Sequence, residues 1–120
     1  MRTIDIGSKK HTKVVSVDEM SFGAHHEYHI IDTSKPNEDE AHLPTCVKFQ
    51  KGPVKEHGIN GCHNEDLIAI VLDRLECFQN TEYKCRENAL AITKLEEAMM
   101  WLRKRTQDRE NRGVEGTSEK

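Results

Sequence analysis

A row of arginines near the C-terminal end is the part of the sequence with the most specific chemistry. Arg105, Arg109 and Arg112 recur at the spacing of a helix face, and guanidinium groups bind phosphate oxygens through paired, charge-assisted hydrogen bonds. Residues 103–112 contain five basic and two acidic residues, whereas the whole chain has a net charge of −3. A local cationic site on an acidic chain suits a compact anion better than a long polyanion.

The arginine row continues the packing stripe of a long helix, which we predict from near Arg86 to about Arg112. The expected seam consists of four apolar residues at helical spacing, namely Ala91, Leu95, Ala98 and Leu102. Because the row keeps the same register, we expect the arginines to lie on the buried stripe. The alternative is a solvated helix end, where cations favour the helix dipole and pair with Asp108 and Glu110.

The residues after the long helix predict a tail that folds back over the arginines. Gly113 fits the position after a helix C-cap, and Val114 can make the apolar contact that accompanies such a cap. A tail in that position would form the rim of a pocket.

A shorter helix precedes the long one. Asn64 is a suitable N-cap, and the six residues from 67 to 72 are apolar on nearly every side, so they need cover on every side. Residues 79–84 form the connection. The second helix has about 25 residues, or roughly 40 Å, and the first has near 15. The far end of the second helix therefore lacks a partner within the hairpin, and we expect the chain to oligomerise.

The N-terminal half of the chain has the pattern of a small antiparallel sheet. Three β-branched segments predict strands at 13–17, 27–32 and 45–50, with a polar loop at 34–40 and glycine and proline residues after the last strand. The expected fold class is α+β, with an N-terminal antiparallel β-sheet followed by a C-terminal antiparallel helical hairpin in an oligomer. We expect a single domain over 1–120, divided into a β-rich part at 1–63, the hairpin at 64–112 and a tail at 113–120.

The sequence also limits the location and chemistry of the protein. The first 15 residues lack the apolar run of a signal peptide, and no later segment is long and apolar enough to span a bilayer, so we expect a cytosolic chain with reduced cysteines. His25, His26 and His29 lie close together, and Cys62 adjoins His63, but no Cys-x-x-Cys pair occurs. These spacings predict no metal and no cofactor. No nucleophile has a recognisable base or oxyanion context, so we expect no enzyme.

A set of residues in the second half resembles the anti-Thoeris sponge family of bacteriophages. The resemblance covers about residues 45–118, and its pattern includes Leu95-Glu96-Glu97-Ala98 and Trp101-Leu102. Its specific motifs are Arg86-Glu87-Asn88-Ala89 and Arg112-Gly113-Val114-Glu115-Gly116. The hairpin is also similar to that of the related anti-CBASS sponges. The resemblance implies a non-enzymatic protein that binds immune signalling nucleotides without cleaving them. The implied ligand is glycocyclic ADP-ribose, with cyclic di- or trinucleotides at a separate site in some members.

The resemblance also implies roles for individual residues. Phe78 would stack on the base, Asn88 would read the base or sugar, and Arg105 with Arg109 would clamp the phosphates. Phe78 and Asn88 also have structural alternatives. Phe78 can cap the core of the shorter helix, and Asn88 can form hydrogen bonds with backbone groups near the start of the longer helix. Thr106 and Thr117 are candidates either for lining the pocket or for hydrogen bonds to the backbone. Lys51 and Lys55 are candidates either for phosphate contacts or for solvated surface positions. Trp101 is expected to pack at an interface, with a role as a stacking platform as the alternative.

The spacing of these residues predicts a pocket shared between chains. Asn88 and Arg105 are 17 positions apart, or about 25 Å along one helix, so a single chain cannot close both around a small ligand. An antiparallel homodimer can bring them together. The resemblance implies dimers, and in some members hexamers built as trimers of dimers, in the cytoplasm of the infected host. The alternative functions are a nucleotide-degrading enzyme, which would return altered nucleotide, and a nucleic-acid-binding phage regulator, which would bind duplex with a steep salt dependence.

Overall fold

The computed structural model describes residues 2–34 and 42–120, with side chains included except at 42–44. The chain divides into two compact units, residues 1–62 and 63–120. This division falls where the residue pattern changes from strand to helix. The assignment of the whole chain to a single domain stays a prediction. No helix in the described part of the chain is long and apolar enough to cross a membrane.

The first unit contains a four-stranded antiparallel sheet. Its strands are β1 (Arg2–Thr3), β2 (Thr12–Ser16), β3 (Glu27–Asp32) and β4 (His42–Lys48), and they lie in the order β1-β2-β3-β4. The antiparallel sheet is confirmed, with β3 at its predicted bounds. The sequence missed β1, because two residues are too short to show alternation. The predicted loop at 34–40 lies outside the described residues except for Ser34.

The last strand differs from its predicted bounds of 45–50. It begins three residues earlier, at His42, and ends at Lys48. Phe49 follows the strand, where its backbone N–H still donates to the His26 carbonyl at 2.7 Å and the residue also forms a parallel bridge to Cys62. The Gln50 side chain then ties the following loop together, since its amide donates to the carbonyl of Gly52 at 3.1 Å and to that of Gly58 at 2.8 Å. The short helix α1 (Val54–His57) lies within this loop.

The second unit is the helical hairpin, made of α2 (Asn64–Gln79) and α3 (Arg86–Asn111). The N-cap of α2 is His63, not Asn64 as predicted. The Asp66 carboxylate accepts a hydrogen bond from the His63 backbone N–H at 2.8 Å, which satisfies a donor at the helix start and moves the cap back by one residue. The predicted bounds of α3 are confirmed to within one residue.

The buried stripe of α3 confirms the predicted seam but not all of the arginine row. Met99 is the most buried of its residues, at 8% exposure, and Ala91, Leu95, Ala98 and Leu102 are half-buried. After Leu102 the stripe continues through Thr106 and Arg109, whereas Arg105 and Arg112 are exposed. The expectation that the whole row lies on the buried stripe was therefore wrong for Arg105 and Arg112. At about 100° per residue, Arg105 and Thr106 lie about equally far on either side of this seam, so the helical period alone does not decide which of the two is buried.

The tail after α3 folds back as the sequence predicts. Gly113 has φ of +73°, its N–H donates to the Glu110 carbonyl at 3.0 Å, and the Val114 N–H donates to the Arg109 carbonyl at 3.0 Å. These two bonds form a Schellman motif, in which the residue after the cap adopts a left-handed conformation. Val114 is half-buried, in agreement with the predicted apolar contact.

Replacement of Gly113 should test this cap. Gly113→Ala should lower the free energy of unfolding by about 1 kcal/mol, because a β-carbon is disfavoured at positive φ. Gly113→Asn should cost less, since asparagine tolerates the left-handed conformation. Chemical unfolding of the three proteins measures the difference. Equal stability of the alanine variant and the wild type would show that the cap contributes nothing.

Candidate ligand-binding site

A basic cavity lies along the C-terminal half of α3. Its volume is about 960 Å³, and it is lined by Trp101, Lys104, Arg105, Asp108, Arg109, Asn111, Arg112 and Lys120. Five of these residues are cationic and one is acidic. Cations at this end of a helix are favoured by the partial negative charge of the last carbonyl groups. The volume lies within the range typical of small-molecule sites.

Arg109 is the most constrained cation of this cavity. It is half-buried, and its guanidinium donates to the carbonyl oxygens of Glu119 at 2.7 Å, Val114 at 3.0 Å and Thr117 at 3.1 Å. The Thr117 hydroxyl also donates to the Val114 carbonyl. The tail over 114–119 thus folds around one guanidinium group and fixes its orientation.

Arg105 and Trp101 present less constrained groups to the same cavity. Arg105 is exposed, and Trp101, one turn earlier, is 57% exposed. The only acidic residue of the lining, Asp108, accepts a hydrogen bond from Lys104 at 3.0 Å. The cavity therefore combines cations for an anion with an indole ring for a flat group. Trp101, Arg105 and Arg109 recur at i, i+4 and i+8, so the indole ring lies on the same side of α3 as the two arginines, and its stacking role stays an alternative.

Phe78 and Asn88 lie at the opposite end of the hairpin. Phe78 is half-buried in the last turn of α2, where the Arg74 guanidinium carbon is 5.1 Å from the ring centroid. Asn88 is half-buried in the first turn of α3, and its backbone N–H donates to the Cys85 sulfur at 3.4 Å. Neither residue lines the basic cavity, because about 25 Å of helix separates Asn88 from Arg105. Within one chain the structure does not bring the two predicted halves of the site together.

Thr106 lies in a different cavity from Arg105 and Arg109. This second cavity has a volume of about 510 Å³ and is lined by Glu65, Asp66, Ala69, Met99, Arg103, Thr106, Gln107 and Glu110. The Thr106 hydroxyl donates to the Leu102 carbonyl at 3.2 Å, which is an ordinary contact within a helix. Three acidic residues make this cavity unsuitable for a phosphate. The ligand-binding role of Thr106 stays a prediction.

Lys51 belongs to the first unit, in the loop after β4. Asn60 holds its backbone, since the Asn60 side chain accepts from the Lys51 N–H and donates to the Lys51 carbonyl, both at 2.8 Å. The Lys51 side chain is exposed. A ligand-binding role for Lys51 also stays a prediction.

Two comparisons relate the chain to known proteins. The family described as "Acb2/Tad1, hairpin domain" matches residues 45–107, which include β4 from Thr45 onward, α2 and most of α3. The chain is also similar to "Thoeris anti-defense 1" of Bacillus phage SBSphiJ7, with 49% identity over an alignment that is 131 positions long and covers 92% of each chain. The second match extends the similarity beyond the hairpin.

The contacts of Arg109 predict how the tail responds to its removal. Arg109→Gln should increase the hydrogen exchange rates of the Thr117 and Glu119 amides by about tenfold, because charged hydrogen bonds hold the tail. Arg105→Gln is the matched control, since Arg105 lies one turn away on the same helix and should leave these rates unchanged. Exchange followed by mass spectrometry or nuclear magnetic resonance gives the rates. Similar rates in all three proteins would show that Arg109 does not hold the tail.

Proposed function

We propose that this chain binds an immune signalling nucleotide of the infected host and holds it uncleaved. The chain belongs to the Acb2/Tad1 hairpin family of phage anti-defence proteins, and this membership supports the proposal. The proposed ligand is glycocyclic ADP-ribose, and its capture in the host cytoplasm would keep the Thoeris effector inactive. The observation that carries this proposal is the basic cavity of α3, which combines five cations with the exposed ring of Trp101.

The chemistry of the cavity supports a nucleotide with a pyrophosphate. Arg105 and Arg109 are on the same side of α3, one turn apart, so their guanidinium groups can bind two neighbouring phosphates. Arg109 is already oriented by the tail, which lowers the entropy lost when a ligand binds. A pyrophosphate would thus meet one fixed and one adaptable guanidinium group.

The complete site requires a second copy of the chain. Phe78 and Asn88 would supply the stacking and base-reading groups, and an antiparallel dimer of hairpins would place them beside Arg105 and Arg109 of the other protomer. Exposed apolar side chains on both helices support such an assembly, since Ile70 is 64% exposed, Val71 45% and Leu90 48%. Association would cover these groups, and dimers could assemble further into a hexamer.

A binding role without catalysis is consistent with the groups around the cavity. The carboxylate of Asp108 is bonded to Lys104, and the remaining groups of the lining include five cations and the indole of Trp101. Cations and an aromatic ring can hold a nucleotide, whereas cleavage would also need a base or nucleophile directed at the reacting bond. We therefore propose sequestration and not degradation.

The fate of the ligand tests this proposal. The protein should be incubated with a panel that contains glycocyclic ADP-ribose and cyclic di- and trinucleotides, separated from free ligand and heat-denatured. We expect chromatography to show glycocyclic ADP-ribose released chemically unchanged. Appearance of linear ADP-ribose would indicate an enzyme, and recovery of no nucleotide from the panel would contradict the proposed ligand class.

Variants of two arginines on opposite sides of α3 test the phosphate clamp. Arg105→Ala should weaken binding of glycocyclic ADP-ribose by at least about 30-fold, because one charge of the bound phosphates would be left without a partner. Arg103→Ala is the matched control, since Arg103 lines the acidic cavity and should leave the affinity unchanged. Calorimetric titration gives both affinities.

Two measurements separate loss of binding from loss of the assembly. Light scattering of each variant should give the mass of the wild-type oligomer, at least twice the 13.8 kDa of one chain. Melting curves without ligand should show Arg105→Ala to be as stable as the wild type or slightly more stable, since one repulsive charge is removed. If Arg103→Ala weakens binding as strongly as Arg105→Ala, the proposed clamp is wrong.

A further inference from the structure

Three side chains with metal-binding atoms converge on one face of the β-sheet in the first unit. Glu27 and His29 are two positions apart on β3, so they point to the same face, and Cys46 on β4 is the register partner of His29. One ligand atom from each residue lies within 4.8 Å of the other two. His29 Nε2 and Glu27 Oε2 are 3.5 Å apart.

We propose that Glu27, His29 and Cys46 bind a zinc ion, with solvent at the fourth position. An imidazole nitrogen, a thiolate sulfur and a carboxylate oxygen are the three ligand types that zinc takes in proteins. Two ligands of a tetrahedral zinc ion, at about 2.0–2.3 Å from the metal, are about 3.5 Å apart. His29 Nε2 and Glu27 Oε2 already have this separation, and the Cys46 sulfur lies within 4.8 Å of a ligand atom of each of these residues. Only a modest rotation of the side chains would therefore complete the site.

The pairing of the strands positions these ligands before a metal arrives. The β3–β4 ladder aligns Glu27 with Lys48 and His29 with Cys46, which fixes the backbone of all three ligands. On its other side His29 pairs with Val15, which is fully buried. The His29 side chain is 18% exposed, whereas Cys46 is exposed. The site therefore has an apolar neighbour on one flank and access to solvent on the other.

The neighbouring histidines have different roles. His25 Nδ1 lies 2.9 Å from the Asp18 carbonyl oxygen, and His26 Nε2 lies 2.6 Å from that of Ser21. Both rings are thus engaged in the turn between β2 and β3. The linear spacing of the histidines and cysteines predicted no metal site, because Cys46 lies 17 positions from His29 in the sequence. Only the antiparallel register of β3 and β4 reveals the cluster.

Zinc binding would link β3 to β4 and does not depend on the proposed nucleotide. When zinc binds, the Cys46 thiol proton passes to solvent and a sulfur–zinc bond forms. The consequence is a metal-dependent stabilisation of the sheet, which is measurable in the full chain without any nucleotide. Failure of the zinc site would leave the nucleotide proposal unaffected.

Cobalt and zinc titrations of the chelator-treated protein test the site. We expect Co²⁺ alone to give the visible absorption of a tetrahedral ion and a thiolate charge-transfer band, at one equivalent per chain. Zn²⁺ should displace both signals and raise the melting temperature. Cys46→Ser should abolish the charge-transfer band, whereas Cys77→Ser, the control at another exposed cysteine, should retain it. His29→Gln should weaken Co²⁺ binding by at least about tenfold, and His11→Gln should not.

Other outcomes would overturn the proposal. These are the absence of the charge-transfer band in the wild type, its persistence in Cys46→Ser, or its loss in Cys77→Ser. Circular dichroism of the metal-free variants shows whether each is folded. If His29→Gln fails to fold, Glu27→Gln replaces it, since the Glu27 side chain is more exposed than that of His29 and the glutamine amide has nearly the same volume as the carboxylate. Unchanged Co²⁺ affinity in that variant would exclude Glu27 from the site and contradict the proposal.

Discussion

The length of α3 governs how this protein can surround a ligand. A rigid helix of 26 residues keeps its ends roughly 39 Å apart, whereas α2, with 16 residues, covers only part of it. Phe78, the proposed stacking group, and Asn88, the proposed base-reading group, lie at one end of the hairpin, and the cations lie at the other. No side-chain rotation can close that distance. A small nucleotide can therefore meet both sets of groups only if two hairpins lie antiparallel, so the proposed function and the proposed assembly have the same geometric origin.

The cations at the end of α3 are held in different ways, and the difference bears on the proposed binding of a nucleotide. Arg109 directs three N–H bonds to tail carbonyls, and a guanidinium group has five. Two N–H bonds lie outside these contacts, so the tail can orient Arg109 without using up its capacity to bind phosphate. Arg105 is exposed, and within the part of the chain that the structure describes no hydrogen bond holds its guanidinium group in this way. The Schellman motif at Gly113 is what returns the tail to Arg109, so a backbone conformation at one glycine supports the electrostatics of the cavity.

The sequence predicted those features that depend on local pattern. The long periodic segment identified α3 to within one residue, and Gly113-Val114 identified the folded tail. Features that depend on register or on distant parts of the chain were harder to predict. The seam positions alone did not show that the stripe turns to Thr106 after Leu102, which leaves Arg105 exposed. Likewise, Cys46 meets His29 only through strand pairing, and β1 is too short to give a periodic signal.

The two cavities of the hairpin explain why an anion would choose one side of α3. The start of α2 is the natural place for an anion, because its N–H groups and dipole are positive there. The chain's own carboxylates occupy that position. The Asp66 carboxylate accepts a hydrogen bond from the His63 N–H, and Glu65 lies in the same first turn of the helix. Glu110 adds a third negative charge to the same cavity. Arg103 and Arg105 are two residues apart, or about 200° around the helix, so they lie on opposite sides of α3 and have different charged neighbours. Arg103 lies among carboxylates, whereas Arg105 lies among cations that have too few carboxylates to neutralise them. We therefore expect a phosphate to be repelled from one side of the helix and attracted to the other, because the three acidic residues lie on one side only.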